Sequence, residues 1–553
     1  MRHRFGLSIL FLVLVSSAVA QVIVPPTSVR RPGERPGTAH TNYRIYIGPW
    51  RFPSVDSPFP ELAAAHGPAA GQTIPGYHPA DIRAAYNVPP NLGTQAIAIV
   101  DAFDLPTSLN DFNFFSAQFG LPTEPSGVAT ASTNRVFQVV YASGTKPATN
   151  ADWGGEIALD IEWAHAMAPN AKIYLIEADS DSLLDLLAAV RVAATQLSNV
   201  RQISMSFGAN EFTNESASDS TFLGTNKVFF ASSGDASNLV SYPAASPNVV
   251  GVGGTRLALS NGSVVSETAW SSAGGGPSSR EPRPTYQNSV SGVVGSARGT
   301  PDIAAIADPE TGVAVYDSTP IPGTGVGWFV VGGTSLACPV CAGITNARGY
   351  FTASSFSELT RLYGLAGTSF FRDITSGTSG QFSARVGYDF VTGLGSLLGI
   401  FGPFATSPSS LSVVSGTAVA GVPSNMVAKD GHDYVVRSAS PAGGGQVATV
   451  QGTFASHPPA KAVQFGASVT VTAMRTSGTT TLKLFNQATS AFESVANLTL
   501  GTTNTTVTVP IPNAPKYFAS DGTTKFQLTT TGPGTTQIRF GVDQVLLTLT
   551  PTG

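Results

Sequence analysis

The stretch from Ala96 to Val252 constrains the fold most, because short apolar runs alternate there with helical patterns. Ala96–Val100, Val136–Tyr141, Lys172–Ile176, Gln202–Phe207, Val228–Ala231 and Val249–Val252 read as strands. Ser108–Phe119, Gly155–Ala168 and Leu183–Leu197 carry the apolar spacing of helices. Continuously apolar strands are covered on both faces, as in a parallel sheet clothed by helices. The reading is an α/β domain with a mainly parallel sheet. Such sheets bind ligands at the carboxyl ends of their strands. Asp101, Phe207, Asp235 and Ser335 all stand near the end of an apolar run.

The flanks differ in texture. Residues 1–20 have a positive start at Arg2 and Arg4, an apolar run and Ala18-Val19-Ala20, the pattern of a signal peptide. Export to the extracellular space is the expectation. Residues 21–75 are rich in Pro, Gly, Ala and Arg and read as a linker or short pro-segment, with local strands at Tyr43–Ile47 and Trp50–Phe52. The α/β part spans 76–405. Residues 411–553 hold short Thr- and Val-rich alternating runs at Ser468–Ala473, Thr481–Phe485, Thr505–Ile511, Lys525–Thr529 and Gln537–Leu549, the pattern of an all-β sandwich. Charged residues make up 12% of the chain and the net charge is -4, which leaves no basic footprint for nucleic acid. No stretch after residue 20 is long and apolar enough to span a membrane. A monomer is expected. The two cysteines, Cys338 and Cys341, share a helix face and read as core packing.

Gly332-Gly333-Thr334-Ser335 hands a small-residue turn to an apolar helix. A serine at a helix start lies beside free backbone N–H groups, which suit a developing oxyanion; it is also an ordinary N-cap. The longer match, with Pro339 behind and Trp328–Val331 ahead, is the nucleophile signature of the subtilisin-like superfamily, so Ser335 needs a base. Glu156 and Asp160 lie about 40° apart on one helical face. Brought close in a partly buried site they would share a proton, and a carboxylate base works only while ionised, at acid pH. A solvated acidic patch is the plainer alternative. His165, nine positions after Glu156, falls on the opposite face and reads as structural. Asp235, in Ser233-Gly234-Asp235, can donate to an oxyanion only when protonated; alone, Gly-Asp is a turn signal.

Glu156-x-x-x-Asp160, Ser204-Met205-Ser206-Phe207-Gly208, Ser233-Gly234-Asp235, Tyr242-Pro243-Ala244-Ala245-Ser246-Pro247, Gly253-Gly254-Thr255, Pro301-Asp302-Ile303 and Gly332-Gly333-Thr334-Ser335 together resemble the sedolisin, or serine-carboxyl peptidase, family. The resemblance implies a subtilisin-like fold and cleavage of protein or peptide substrates by a serine-type endopeptidase. In it Ser335 would attack, Glu156 would move the proton, Asp160 would hold Glu156 and Asp235 would donate to the oxyanion. Ser206, Phe207 and Gly208 would pair with the substrate backbone. It also implies one calcium site, with carboxylates from Asp373 and Asp389 and carbonyls from Ile374, Arg385 and Gly387. Four features depart from the family: the short pro-segment, Phe207 where some members extend the triad through a tryptophan, Arg385 where some members have a glycine as a calcium carbonyl, and the cysteines. Asp101 would be the outer carboxylate of that extension. Two alternatives stay open: a catalytically silent scaffold that binds surfaces or carbohydrate, and a neutral subtilisin-like protease using Asp101, His165 and Ser335.

Overall fold

The computed structural model describes residues 21–48 (except 32, 33 and 36), 74–399 (except 261, 322, 323 and 369), 404–406, 408–422, 426, 433–440, 444–454, 465–519 and 523–551. The signal-peptide segment and Trp50–Phe52 lie outside these.

The central sheet is ordered Phe371–Arg372, Ser396–Leu397, Ile303–Ile306, Val250–Ser260, Val228–Ser232, Val200–Met205, Ala96–Ala102, Lys172–Ala178, Phe137–Tyr141. From Ser396–Leu397 to Phe137–Tyr141 every neighbouring pair is parallel. Antiparallel additions are Phe371–Arg372 at the edge and Ser263–Ala269 folding back on Val250–Ser260. Ala96–Ala102 is buried at every position, Asp101 included, as a strand covered on both faces must be. This is the α/β fold with a mainly parallel sheet that the alternation implied.

Two helices sit inside this body. Ala151–Met167 is buried from Trp153 to Met167, and Thr334–Ala347 along its whole length. A helix without a polar face belongs in a core. The first begins four residues earlier than the apolar spacing suggested, because the Asn150 side chain accepts from the N–H groups of Asp152 and Trp153 and caps it there. The two helices touch at Gly343, where a Cβ would stand 2.6 Å from Met167 Cβ and 3.2 Å from Ala164 O. Asp302 of the Pro-Asp-Ile motif is structural: fully buried, it takes both Nη groups of Arg298, at 2.8 and 2.6 Å, the Gly251 N–H at 2.8 Å and the Tyr363 hydroxyl at 2.8 Å. Those charge-assisted bonds satisfy a carboxylate that burial would otherwise penalise.

Segment 21–48, read as linker or pro-segment, is built into the fold. Arg44–Ile47 is an inner strand, antiparallel to Gln21–Ile23 on one side and Gly325–Gly332 on the other. His40–Thr41 pairs with Phe207–Asn210. Composition alone hid this, since such short pairings leave little periodic signal.

The C-terminal part is a β-sandwich. One antiparallel sheet runs Thr417–Ala420, Tyr434–Arg437, Arg539–Pro551, Phe465–Arg475, Thr505–Ile511; the other runs Ser410–Ser415, Gln446–Phe454, Thr524–Gly532, Thr479–Asn486, Ala491–Leu498. Val469, Val471 and Phe540 of the first meet Leu482, Leu484 and Phe526 of the second in one core. Phe404–Thr406 also pairs with Arg539–Pro551, so the sheet starts before 411. The threonine content has a physical use: Thr470–Thr508, Thr472–Thr506 and Thr480–Thr530 join neighbouring strands by hydroxyl bonds of 2.8–2.9 Å. Among the described residues no helix is long and apolar enough to cross a membrane.

Candidate active site

Ser335 is the second residue of the helix Thr334–Ala347 and is fully buried. Its position follows from two local breaks. Gly333 precedes the helix at φ +121°, a conformation that side chains rarely adopt, and a Cβ there would stand 2.6 Å from Tyr43 Cα. Pro339 lies inside the helix and has no N–H for the Ser335 carbonyl. That freed carbonyl accepts from Ser206 Oγ at 3.2 Å, while Ser335 Oγ donates to the Ser206 carbonyl at 3.0 Å. The proline thus ties the nucleophile helix to the strand end Ser206–Gly208.

Glu156 and Asp160 share one face of the helix Ala151–Met167 and are both fully buried, with no hydrogen-bond partner on any of their four carboxyl oxygens. Burial raises the Glu156 carboxyl well above its ordinary range, and the charges of Asp160 and Asp101 add to this. The Ser335 hydroxyl is near enough to Glu156 to oppose that rise, although its proton points at Ser206. Asp160 is raised in the same way, by burial and then by Asp101. Asp101, fully buried and without a partner on either oxygen, is pushed up to about 8 by burial. Three carboxyl groups therefore share few negative charges, and they titrate as a set.

Asp235 arrives from the other side. Its Oδ1 accepts from the Thr334 N–H at 2.8 Å and the Thr334 hydroxyl at 2.9 Å. Its Oδ2 has no hydrogen-bond partner and lies 3.8 Å from Arg44 Nε. Burial pushes this carboxyl up to about 6 against the opposing pull of Arg44, the Thr334 bonds and Arg30. Below that pH, Oδ2 can carry a proton and donate it.

His165 belongs to a different surrounding. Its Nε2 meets the Pro122 carbonyl at 2.9 Å, its ring lies 4.6 Å from that of Phe112, and burial pushes it down to about 4. A ring so held is core. Phe207 is buried in the apolar cluster that includes Trp153. Cys338 and Cys341 are free and buried, with Cys338 Sγ 3.2 Å from Ser204 Oγ.

Asp373 and Asp389 both accept from the backbone of the loop at Arg385 and Gly387. The Gly387 N–H donates to Asp373 Oδ2 at 3.0 Å, and the Arg385 N–H to Asp389 Oδ2 at 3.2 Å. Asp389 is also held by the N–H groups of Val391 and Thr392, both at 2.8 Å, and a pocket of about 380 Å³ opens beside it and Arg385. Among the described residues no three His, Cys, Asp or Glu side chains gather as metal ligands. Ile374 is buried in the small cluster with Trp270 and Val391.

The sequence reading missed the residues that the folded N-terminal segment brings to the site: Asn42, Tyr43 and Arg44. The only signal was the short alternating run Tyr43–Ile47. It also missed Thr334 as the group that fixes Asp235.

The subtilase family model (peptidase S8) matches residues 128–348. Kumamolisin of Bacillus sp. (strain MN-32) is 30% identical over 425 residues, 65% of this chain and 72% of its own. Sedolisin of Pseudomonas sp. (strain 101) is 27% identical over 386 residues, 61% of this chain and 62% of its own, so the chain spans less than two thirds of that relative. Among solved structures, Pseudomonas sedolisin complexed with two molecules of pseudo-iodotyrostatin is similar at 25% identity and a TM-score of 0.49, over 59% of this chain and 96% of that one. With the kumamolisin match at that identity and coverage, the chain belongs to the sedolisin family and is a serine-type peptidase.

Proposed function

We propose that the chain is an exported, acid-acting endopeptidase that works through Ser335, Glu156 and Asp160, with protonated Asp235 completing the oxyanion hole. One observation carries this reading: Glu156, fully buried, stands near the Ser335 hydroxyl with the buried Asp160 next on the same helix face, and the candidate histidine is committed elsewhere. Ser335 Oγ attacks the substrate carbonyl and passes its proton to Glu156 while Glu156 holds the negative charge that it shares with Asp160 and Asp101, and Glu156 then returns the proton to the leaving amine. Asp160 shares charge with Glu156 and holds its orientation. The Ser335 N–H and the Asp235 carboxyl donate to the oxygen that becomes negative. Ser206, Phe207 and Gly208 would offer a strand edge to an extended peptide once His40–Thr41, which pairs there in this structure, is displaced, and such β-pairing recognises backbone rather than sequence.

The test is cleavage of a denatured protein across pH by the chain and by Glu156→Gln. Cleavage below about pH 5 that vanishes in the variant supports the carboxylate base. Activity near neutrality that survives Glu156→Gln rejects it.

Calcium belongs to the same reading. Asp373 and Asp389 with the carbonyls of Ile374, Arg385 and Gly387 would supply an all-oxygen donor set, which suits a hard divalent cation. The ion would tie those loops together and takes no part in the chemistry. Export rests on residues 1–20.

A further inference from the structure

The cleft has a side-chain pocket that the backbone pairing does not explain. An extended stretch of the chain marks its place: His40 pairs with Gly208 and Thr41 with Phe207, antiparallel. The next residue, Asn42, lies on Ser335. The Ser335 N–H donates to the Asn42 carbonyl at 3.0 Å, and the Asn42 N–H donates to Ser335 Oγ at 3.1 Å. A carbonyl on the nucleophile's own N–H stands where a substrate carbonyl must stand to be attacked. The surroundings of the Asn42 side chain are therefore the pocket for the substrate residue that carries that carbonyl.

This pocket is built from serine hydroxyls and a bare glycine. Asn42 is 3% exposed, and its Nδ2 donates to Ser232 Oγ at 2.9 Å. Ser232 is fully buried, ends the strand Val228–Ser232 and is paired in register with Val252, so the central sheet and not a loop fixes its position. Gly234 forms the next wall. A Cβ built on it would stand 3.0 Å from Ser241 Oγ and 3.8 Å from Asn42 Oδ1, and its φ of +106° disfavours any side chain there. Ser241, 1% exposed, lies beyond, and the Arg30 guanidinium donates to its Oγ at 2.8 Å and to Asn210 Oδ1. The space is short, and what it offers a side chain is hydroxyl oxygen.

We propose that Ser232 selects asparagine as the substrate residue on the acyl side of the bond that is cut. The proposal rests on Ser335 being the nucleophile. A carboxamide N–H gives the Ser232 oxygen its hydrogen bond. Leucine has nearly the same shape but no N–H, so it would leave that buried oxygen unpaired. A site built to bond a polar group rejects the analogue that lacks it for this reason. An ionised aspartate brings acceptors only, and a lysine ammonium would give up its water for two hydroxyls.

The experiment takes the full chain, Ser232→Ala and Ser232→Thr with one series of peptides, identical except for asparagine, leucine, aspartate or lysine at that position. It reads kcat/KM and the masses of the products at about pH 5, where a free aspartate is ionised. The expected result is cleavage after asparagine about tenfold to a hundredfold faster than after leucine, with aspartate and lysine no better than leucine. Ser232→Ala should bring the asparagine-to-leucine ratio near one, and Ser232→Thr, which keeps the hydroxyl, should hold it up. An unmodified chain that cuts after leucine, aspartate or lysine as fast as after asparagine overturns the proposal and leaves the peptidase reading standing. An asparagine preference that survives Ser232→Ala overturns the assignment to Ser232. A chain that cuts none of the peptides, nor a denatured protein, overturns both readings.

Discussion

Replacing Asp235 by Asn isolates the acid dependence. In the oxyanion hole the aspartic acid donates only when protonated, whereas an asparagine amide donates at every pH. The amide of Asp235→Asn can keep its oxygen on Thr334, whose N–H and hydroxyl now reach Asp235 at 2.8 and 2.9 Å, and place its nitrogen where Oδ2 stands without a partner. With the group titrating at about 6, about 99% of molecules carry the proton at pH 4, about half at pH 6 and about 1% at pH 8. Wild-type kcat/KM is thus expected to fall about a hundredfold between pH 4 and pH 8 through this group alone, near the 10²–10³ that loss of one oxyanion donor costs. Asp235→Asn should lack that fall, while Asp235→Ala should be about 10²–10³ slower at pH 4, roughly 3–4 kcal/mol of transition-state stabilisation. Arg44→Ala removes the cation 3.8 Å from Oδ2, so it should move the wild-type alkaline limit upward. The assay is kcat/KM on a peptide substrate from pH 3 to pH 9. An Asp235→Asn profile that falls on the alkaline side just as wild type does would refute the reasoning, because another group would then be setting the limit.

Stability should decline as pH rises. Burial pushes Asp101 up to about 8, Glu177 to about 9, Asp317 to about 7 and Glu281 to about 7. The folded chain keeps protons that the unfolded chain releases near pH 4, so these groups stabilise it fully below that and progressively less up to about pH 9. The Tm of Ser335→Ala, which cannot digest itself, should fall from pH 5 to pH 8; a Tm that rises would contradict the burial assigned to these groups. Gly343→Ala should cost roughly 1–3 kcal/mol in denaturant unfolding, since the new methyl meets Met167 Cβ at 2.6 Å inside a packed core. Calcium should raise the Tm, by about 2.7 kcal/mol of stabilisation at a hundredfold excess over Kd. Asp389→Asn should abolish that response to added calcium or to a chelator, and an unchanged response would remove Asp389 from the donor set.

The layer order is legible in the chain's own pattern. Continuous apolar runs such as Ala96–Val100 can be satisfied only with both faces covered, and that requirement fixes a parallel sheet under helices. Helical pitch alone puts Glu156 and Asp160 on one face, because 3.6 residues per turn leaves no other arrangement. It sets His165 on the opposite face for the same reason. Local rules likewise mark the threonine-rich runs as strands. What is not local waits for the packed chain. Whether Glu156 and Asp160 form a solvated patch or a buried pair depends on the helix Thr334–Ala347 and the strands packed over them, and on Asp101 arriving from a strand some fifty positions away. The Asp235 carboxyl is fixed by Thr334, about a hundred residues later. The fate of 38–47 is the clearest case: its few alternating residues carry too little signal to be told from a linker. The strand edges at Phe207–Asn210 and Gly325–Gly332, created when the rest of the chain folds, join Gln21–Ile23 in giving its backbone groups partners and lay Asn42 on Ser335.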